Sequence, residues 1–121
     1  MNIHESGEMY LETILVLKNE KGIVRSIDIA NHTGYAKPSV SRAVGILKKN
    51  EFIEVSAEGF ITLTSSGEAV AKDIYEKHIM LTDFLTKIGV SPETAREDAC
   101  KIEHVISKET FEKIKKYVAE Q

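Results

Sequence analysis

SIDIANHTGYAKPSVSRAVGILKKN, residues 26–50, decides the fold. Ser26 is placed to cap a short helix that runs to about His32. Asp28 suits its first turn, and Ile27, Ile29 and Ala30 give it an apolar side. Thr33 to Ala36 form a turn carrying Gly34. Lys37 and Pro38 open a third helix, where an early proline is tolerated. Its apolar positions are Val40, Val44, Ile46 and Leu47, and it runs to Asn50. Two short helices joined by a glycine-bearing turn form the helix-turn-helix pattern. Between Asn31 and Asn50 the charged residues are Lys37, Arg42, Lys48 and Lys49, with no Asp or Glu. Cations and small hydroxyls at a helix opening suit phosphate and base-edge contacts in a major groove. Lys37, Ser39, Ser41, Arg42 and Lys48 are therefore the candidate DNA contacts.

Working outward, residues 52–56 and 60–63 are β-rich runs, and Ala57-Glu58-Gly59 between them reads as a turn. A hairpin directly after a helix-turn-helix is a wing. Glu54 and Glu58 make this one acidic, so it is expected to touch few phosphates. Upstream, residues 8–18 read as an amphipathic helix with Met9, Leu11, Ile14, Leu15 and Leu17 apolar. Downstream, Ser65 and Glu68 have the spacing of a capping box. A long helix follows through Ile74, His78, Leu81, Phe84 and Ile88, closed by Gly89. Ser91 and Pro92 start the next helix, and Ser107 caps the last, whose apolar residues are Phe111, Ile114, Tyr117 and Val118. These C-terminal helices carry more apolar surface than they can cover alone, so a symmetric homodimer is expected. The chain is thus mainly α: a winged helix-turn-helix DNA-binding domain at 1–63 and a helical dimerisation and metal-binding domain at 64–121.

Cys100-Lys-Ile-Glu103-His104 is the second informative stretch. On a helix, positions i, i+3 and i+4 share one face, so thiolate, carboxylate and imidazole can converge on one cation. The plainer alternative is a core cysteine beside two surface residues. Met9 and Glu12 share the i, i+3 spacing near the first helix's start, where a core methionine and a solvated carboxylate are the ordinary reading.

With 121 residues and 42% hydrophobic content, the chain fits one folded domain with an appended helical unit. No apolar run approaches the roughly 20 residues of a membrane span. The N-terminal residues are polar and lack a signal-peptide pattern, and the single cysteine forms no internal disulfide. A cytoplasmic protein is expected. The net charge of −3 does not advertise nucleic-acid binding, so that expectation rests on the local charge of the third helix.

In order, these pieces are a helix with Met9-Tyr-Leu-Glu12, a helix-turn-helix, a wing, a long helix with His78, and Cys100-x-x-Glu103-His104. Together they resemble the DtxR/MntR family of metal-dependent transcriptional repressors over essentially the whole chain. Residues 35–41, YAKPSVS, are similar to the opening of that family's recognition helix. Residues 63–67, LTSSG, resemble its wing exit, and residues 98–107, DACKIEHVIS, are the most specific match. The SH3-like domain of the longer branch has no counterpart, as in the short form.

The resemblance implies particular ligands. Met9, Cys100, Glu103 and His104 match the primary site of the iron-responsive branch. Glu12 and His78 match positions used by the manganese-responsive branch, which has carboxylates in place of Met9 and Cys100. An ancillary site is left open: Thr82 and Arg96 stand where the iron branch has Glu and His, although His78, Glu12 and a shared Glu103 could build one. Soft thioether and thiolate disfavour Mn²⁺ relative to a carboxylate-rich site. Fe²⁺ is expected first and Mn²⁺ second, with Co²⁺, Ni²⁺ or Zn²⁺ binding in vitro. The implied partner is a double-stranded DNA operator, and the implied role is repression of metal-uptake genes. An alternative is a metal-independent winged-helix regulator that uses Cys100 as a redox sensor. An enzyme is not expected, because no separate nucleophile–base pair or phosphate-cradling loop is present.

Overall fold

The computed structural model describes residues 5–120; residues 1–4, read above for leader features, lie outside them. The described elements are α1 (Glu5–Lys21), α2 (Ser26–Thr33), α3 (Lys37–Lys49), β1 (Ile53–Val55), β2 (Ile61–Leu63), α4 (Ser65–Lys87), α5 (Pro92–Ile102) and α6 (Lys108–Ala119). The chain divides into two compact units, Met1–Lys72 and Asp73–Gln121. This boundary falls within α4. Val70 and Ala71, on the first turns of α4, pack with the apolar core of the first unit and draw the start of the helix into it.

That core collects Leu11 and Ile14 from α1, Ile29 from α2, Val40 and Leu47 from α3, Ile53 from β1 and Ile61 from β2. Burying each such side chain contributes about 1.5–3 kcal/mol by area, an upper figure because unfolded chains are partly collapsed. α1 is longer than its apolar pattern suggested and also buries Tyr10 and Thr13. After it, the Ile61 N–H donates to the Val24 carbonyl at 2.8 Å, tying the α1–α2 connection to the wing. The hairpin is antiparallel, with Ile53 opposite Leu63 and Val55 opposite Ile61. Gly59 supplies the left-handed residue of its turn at φ +85°.

Several local details differ from the sequence expectations. Ser26 does not cap α2; Arg25 holds the cap position, and its N–H donates to Asp28 Oδ2 at 2.8 Å. That bond, followed by the nearby Lys21 ammonium, holds the Asp28 carboxyl below its usual range. The Ser65–Glu68 box gives way to Thr64, whose hydroxyl accepts from the Gly67 N–H at 3.2 Å and donates to the Glu51 carbonyl at 2.7 Å. Gly67 has a packing reason as well, since an added Cβ would sit 1.9 Å from the Phe52 carbonyl oxygen. Ile27 and Ile46, both expected to be apolar core positions, are exposed.

In the second unit, Ile74 and Leu81 of α4, Ala95 and Ala99 of α5, and Phe111 and Val118 of α6 are buried. Phe84 meets Tyr117 edge-on at 6.1 Å between ring centroids. Lys115 pairs with Glu76 at 2.6 Å, and Lys77 lies over the Phe111 ring. Ser107 caps α6 as expected, accepting from the Thr110 N–H at 3.1 Å. Ser91 holds the cap position of α5, but its hydroxyl donates to Thr94 Oγ1 instead of accepting from the backbone. No helix among the described residues is long and apolar enough to cross a membrane.

Candidate metal centre and nucleic-acid interface

In the first unit, the turn before α3 is pinned at Gly34, whose N–H donates to the Ala30 carbonyl from a φ of +77°. A side chain other than glycine is strained there. Pro38 lies in the first turn of α3, and Val40, Val44 and Leu47 anchor the helix to the core. The opposite surface therefore faces outward. Lys37, Ser39, Ser41, Arg42 and Lys48 are all exposed on it. Ser41, Gly45 and Lys48 follow the i, i+4, i+7 spacing of one ridge, while Ser39, Arg42 and Ile46 follow a second. Without a Cβ at Gly45, the centre of this surface is low and cationic groups flank it. Such a surface can approach a phosphate backbone and present short donors to base edges.

The exposed side chains Tyr35 and Ile46 were not foreseen as members of this face. The signal for Ile46 was available: it stands four residues after Arg42, on the side away from Val40, Val44 and Leu47. In an HTH reader, an exposed apolar group next to cations suits contact with a thymine methyl.

In the second unit, α5 ends at Ile102, one residue before the ligand pair expected on it. Glu103 is the C-cap and keeps helical geometry at φ −57°, ψ −25°. His104 lies in the turn that follows, closed by the Val105 and Ile106 N–H groups donating to the Ile102 carbonyl. The buried line of α5 is Ala95, Ala99 and Glu103, at i, i+4 and i+8. Cys100 stands one position off that line and is exposed.

Glu103 is 1% exposed. His78 Nδ1 lies 3.3 Å from its Oε2, and His104 Nε2 lies 3.5 Å from its Oε1. Among the described residues, neither oxygen of Glu103 receives a hydrogen bond. A buried carboxylate without donors is costly unless a positive charge compensates it. Carboxylate and imidazole are suitable ligands for a divalent transition metal. Glu103 and His104 belong to a group of possible ligand atoms that all lie within 4.8 Å of one another, so this carboxylate and imidazole fit a cation. His78 is held on α4, where the Thr82 hydroxyl donates to its carbonyl at 2.7 Å. Thr82 thus serves the helix backbone, and Arg96 is exposed. Met9 and Glu12 sit half-buried on α1 in the first unit.

Two family models match the chain. The iron-dependent repressor N-terminal DNA-binding domain matches residues 2–59. The iron-dependent repressor metal-binding and dimerisation domain matches residues 64–120. The transcriptional regulator MntR of Escherichia coli O6:H1 is 37% identical over 103 residues, covering 85% of this chain and 66% of the relative. The HTH-type transcriptional regulator MntR of Bacillus subtilis is 35% identical over 109 residues, covering 90% of this chain and 77% of the relative. These relatives are named as regulators, not enzymes. The solved structure of the manganese regulator SloR matches with a TM-score of 0.84 at 24% identity, covering the whole chain and 56% of SloR. That likeness supports the winged helix-turn-helix and helical dimerisation architecture. With both halves of the chain matched in order, the chain belongs to the DtxR/MntR family of iron-dependent repressors.

Proposed function

We propose that the protein is a cytoplasmic, metal-dependent transcriptional repressor of metal-uptake genes that binds a double-stranded operator as a homodimer. The observation carrying this reading is the buried Glu103 carboxylate, without hydrogen-bond donors, set between His78 and His104. It lies in the unit matched by the metal-binding and dimerisation model, and the same chain carries an all-basic reading helix.

His78, Glu103 and His104 are the proposed centre of the ligand set. Met9 and Glu12 on α1 and Cys100 on α5 complete it, following the family resemblance. When bound, the divalent metal supplies positive charge that compensates Glu103. Met9 and Glu12 would bring α1 into the ligand set, and metal loading would then fix the spacing of the two reading helices in the dimer. DNA binding follows when that spacing matches successive major grooves about 34 Å apart. Metal loading shifts the protein towards this arrangement only in so far as the ligands hold the metal more tightly there.

Fe²⁺ is the proposed physiological metal, on the softness of Met9 and Cys100. Mn²⁺ is the second reading, favoured by the exposed thiol of Cys100 and the hard carboxylate and imidazole donors around Glu103. Lys37, Ser39, Ser41, Arg42 and Lys48 are the proposed DNA contacts.

Glu103→Ala and His104→Ala proteins test this reading in equilibrium dialysis against Fe²⁺ and Mn²⁺ under anaerobic conditions, followed by operator binding. Both variants are expected to lose high-affinity metal binding and metal-stimulated DNA binding. Unchanged stimulation in both would rule the reading out. Peroxide-sensitive DNA binding by metal-free protein would instead favour Cys100 as a redox sensor.

A further inference from the structure

We infer that Tyr35 is a positioning residue that links α1 to the opening of the reading helix and sets how strongly metal loading changes DNA affinity. The inference rests on the metal-dependent reading above.

Tyr35 is 50% exposed, on the turn between α2 and α3, where nothing in the core requires an aromatic side chain. Its ring nevertheless meets Tyr10 of α1 edge-on, with centroids 6.1 Å apart and planes at 63°. Tyr10 is 7% exposed and directly follows Met9, two residues before Glu12. A displacement of α1 at those proposed ligands is therefore also a displacement of the Tyr10 ring.

The other side of the contact is firmly held. The Tyr35 N–H donates to Thr33 Oγ1 at 3.2 Å, and that hydroxyl donates to the Ile29 carbonyl at 2.8 Å. Ala36 caps α3, its carbonyl accepting from the Val40 N–H at 3.1 Å. Force on the Tyr35 ring thus reaches the helix opening, where Ser39 and Ser41 are exposed, without a slack loop between them.

Beside this contact α1 and α3 are not closely packed. Tyr10 also lines a cleft of about 320 Å³, with Ser39, Arg42, Ala43 and Ile46 across it. Packed groups transmit displacement, and open space does not. On this flank of the first unit, Tyr10 therefore reaches the opening of α3 through the Tyr35 ring rather than across the cleft. Aromatic pairs of this geometry change an equilibrium by about three- to tenfold, which overlaps the lower end of allosteric couplings between sites.

Operator affinity is measured by anisotropy for wild type, Tyr35→Ala and Tyr35→Phe, each with saturating Mn²⁺ and with chelator. The quantity read is the ratio of the two affinities. Tyr35→Ala is expected to lower this ratio about three- to tenfold, and Tyr35→Phe, which keeps the ring, to restore it. Because coupling is reciprocal, operator DNA should tighten Mn²⁺ binding in wild type and do so by a correspondingly smaller factor in Tyr35→Ala. The operator-free Mn²⁺ isotherm and the thermal midpoint show whether the variant is folded. An unchanged ratio in Tyr35→Ala overturns the inference. So does an equal loss in both conditions, which marks Tyr35 as a direct DNA contact. Failure of Tyr35→Phe to restore a lowered ratio contradicts a role for the ring. A wild type without metal stimulation is a separate result, because it removes the metal-dependent reading itself.

Discussion

Thr13 and Glu103 are both buried polar residues, one in each unit, and their surroundings differ. The Thr13 hydroxyl donates to the Met9 carbonyl at 2.9 Å, so the first unit satisfies its polar group within one helix. Glu103 is a carboxylate that, among the described residues, has no hydrogen-bond donor on either oxygen and faces two imidazoles. The first unit is built like an ordinary small core, closed by Leu11, Ile29, Val40 and Ile53. The second buries a charge beside small alanines, while large apolar side chains are exposed in both units, Ile23 and Ile46 in the first and Ile88, Val105 and Tyr117 in the second. A unit folded only for its own stability would not be arranged this way. On the proposed function, the first unit holds a reading surface and the second is completed by a bound cation.

The contrast is sharpest at Glu103. With metal at 100 times its dissociation constant, the wild type should gain about 2.7 kcal/mol of stability. Glu103→Gln should lose most of that gain, while its thermal midpoint in chelator stays level or rises because a buried charge is gone. A midpoint that falls in chelator would make Glu103 an ordinary structural carboxylate and erase the difference between the units.

Gly67→Ala probes the closed half. Its Cβ would overlap the Phe52 carbonyl oxygen, and the backbone must shift to admit it. A loss of roughly 1–3 kcal/mol or more is expected in urea unfolding. If the variant is as stable as wild type, the first unit is looser than its burial indicates.

Arg42→Ala leaves folding intact because the side chain is exposed. If Arg42 contacts phosphate, operator affinity falls for all sequences, and the slope of log affinity against log salt drops by about 1. Relaxed base preference with the slope unchanged would make it a base reader.

Asp28→Ala has the smallest expected effect, about 0.5–1 kcal/mol at neutral pH from the lost cap of α2. Asp28 has a depressed pKa in the folded state, chiefly from the Arg25 N–H. Its contribution is therefore present above the unfolded value of about 3.9 and lost as pH falls through the folded one. The difference between wild type and variant should shrink in unfolding curves below pH 4. A constant difference across pH would assign the effect to helix propensity.

Much of this architecture was legible because it is punctuated. Gly34, Pro38, Gly59 and Gly89 mark boundaries through backbone conformation, which acts locally. Helix caps were less legible. Ser26 and Ser65 have suitable side chains, but the path of the incoming chain gave those positions to Arg25 with Asp28 and to Thr64. Exposure of Ile27 was hidden because a helix's rotation depends on its neighbours, whereas that of Ile46 could be read from its place away from Val40, Val44 and Leu47. The Cys100 motif illustrates the same limit. Its spacing suggested one shared face, but Ala95 and Ala99 face inward and carry Glu103 with them, leaving Cys100 exposed. His78 and Glu103 are 25 positions apart in sequence and were joined only through the family resemblance.

The most direct test of the central claim is anaerobic fluorescence anisotropy with the promoter fragment upstream of the protein's own gene, titrated separately with Fe²⁺ and Mn²⁺ against a chelator blank. Tight binding that appears only with metal, and at lower free Fe²⁺ than Mn²⁺, is the predicted result. Activation mainly by Mn²⁺ would reassign the metal to the carboxylate and imidazole donors. Equal binding in chelator would contradict the metal switch and leave a winged-helix DNA reader without one.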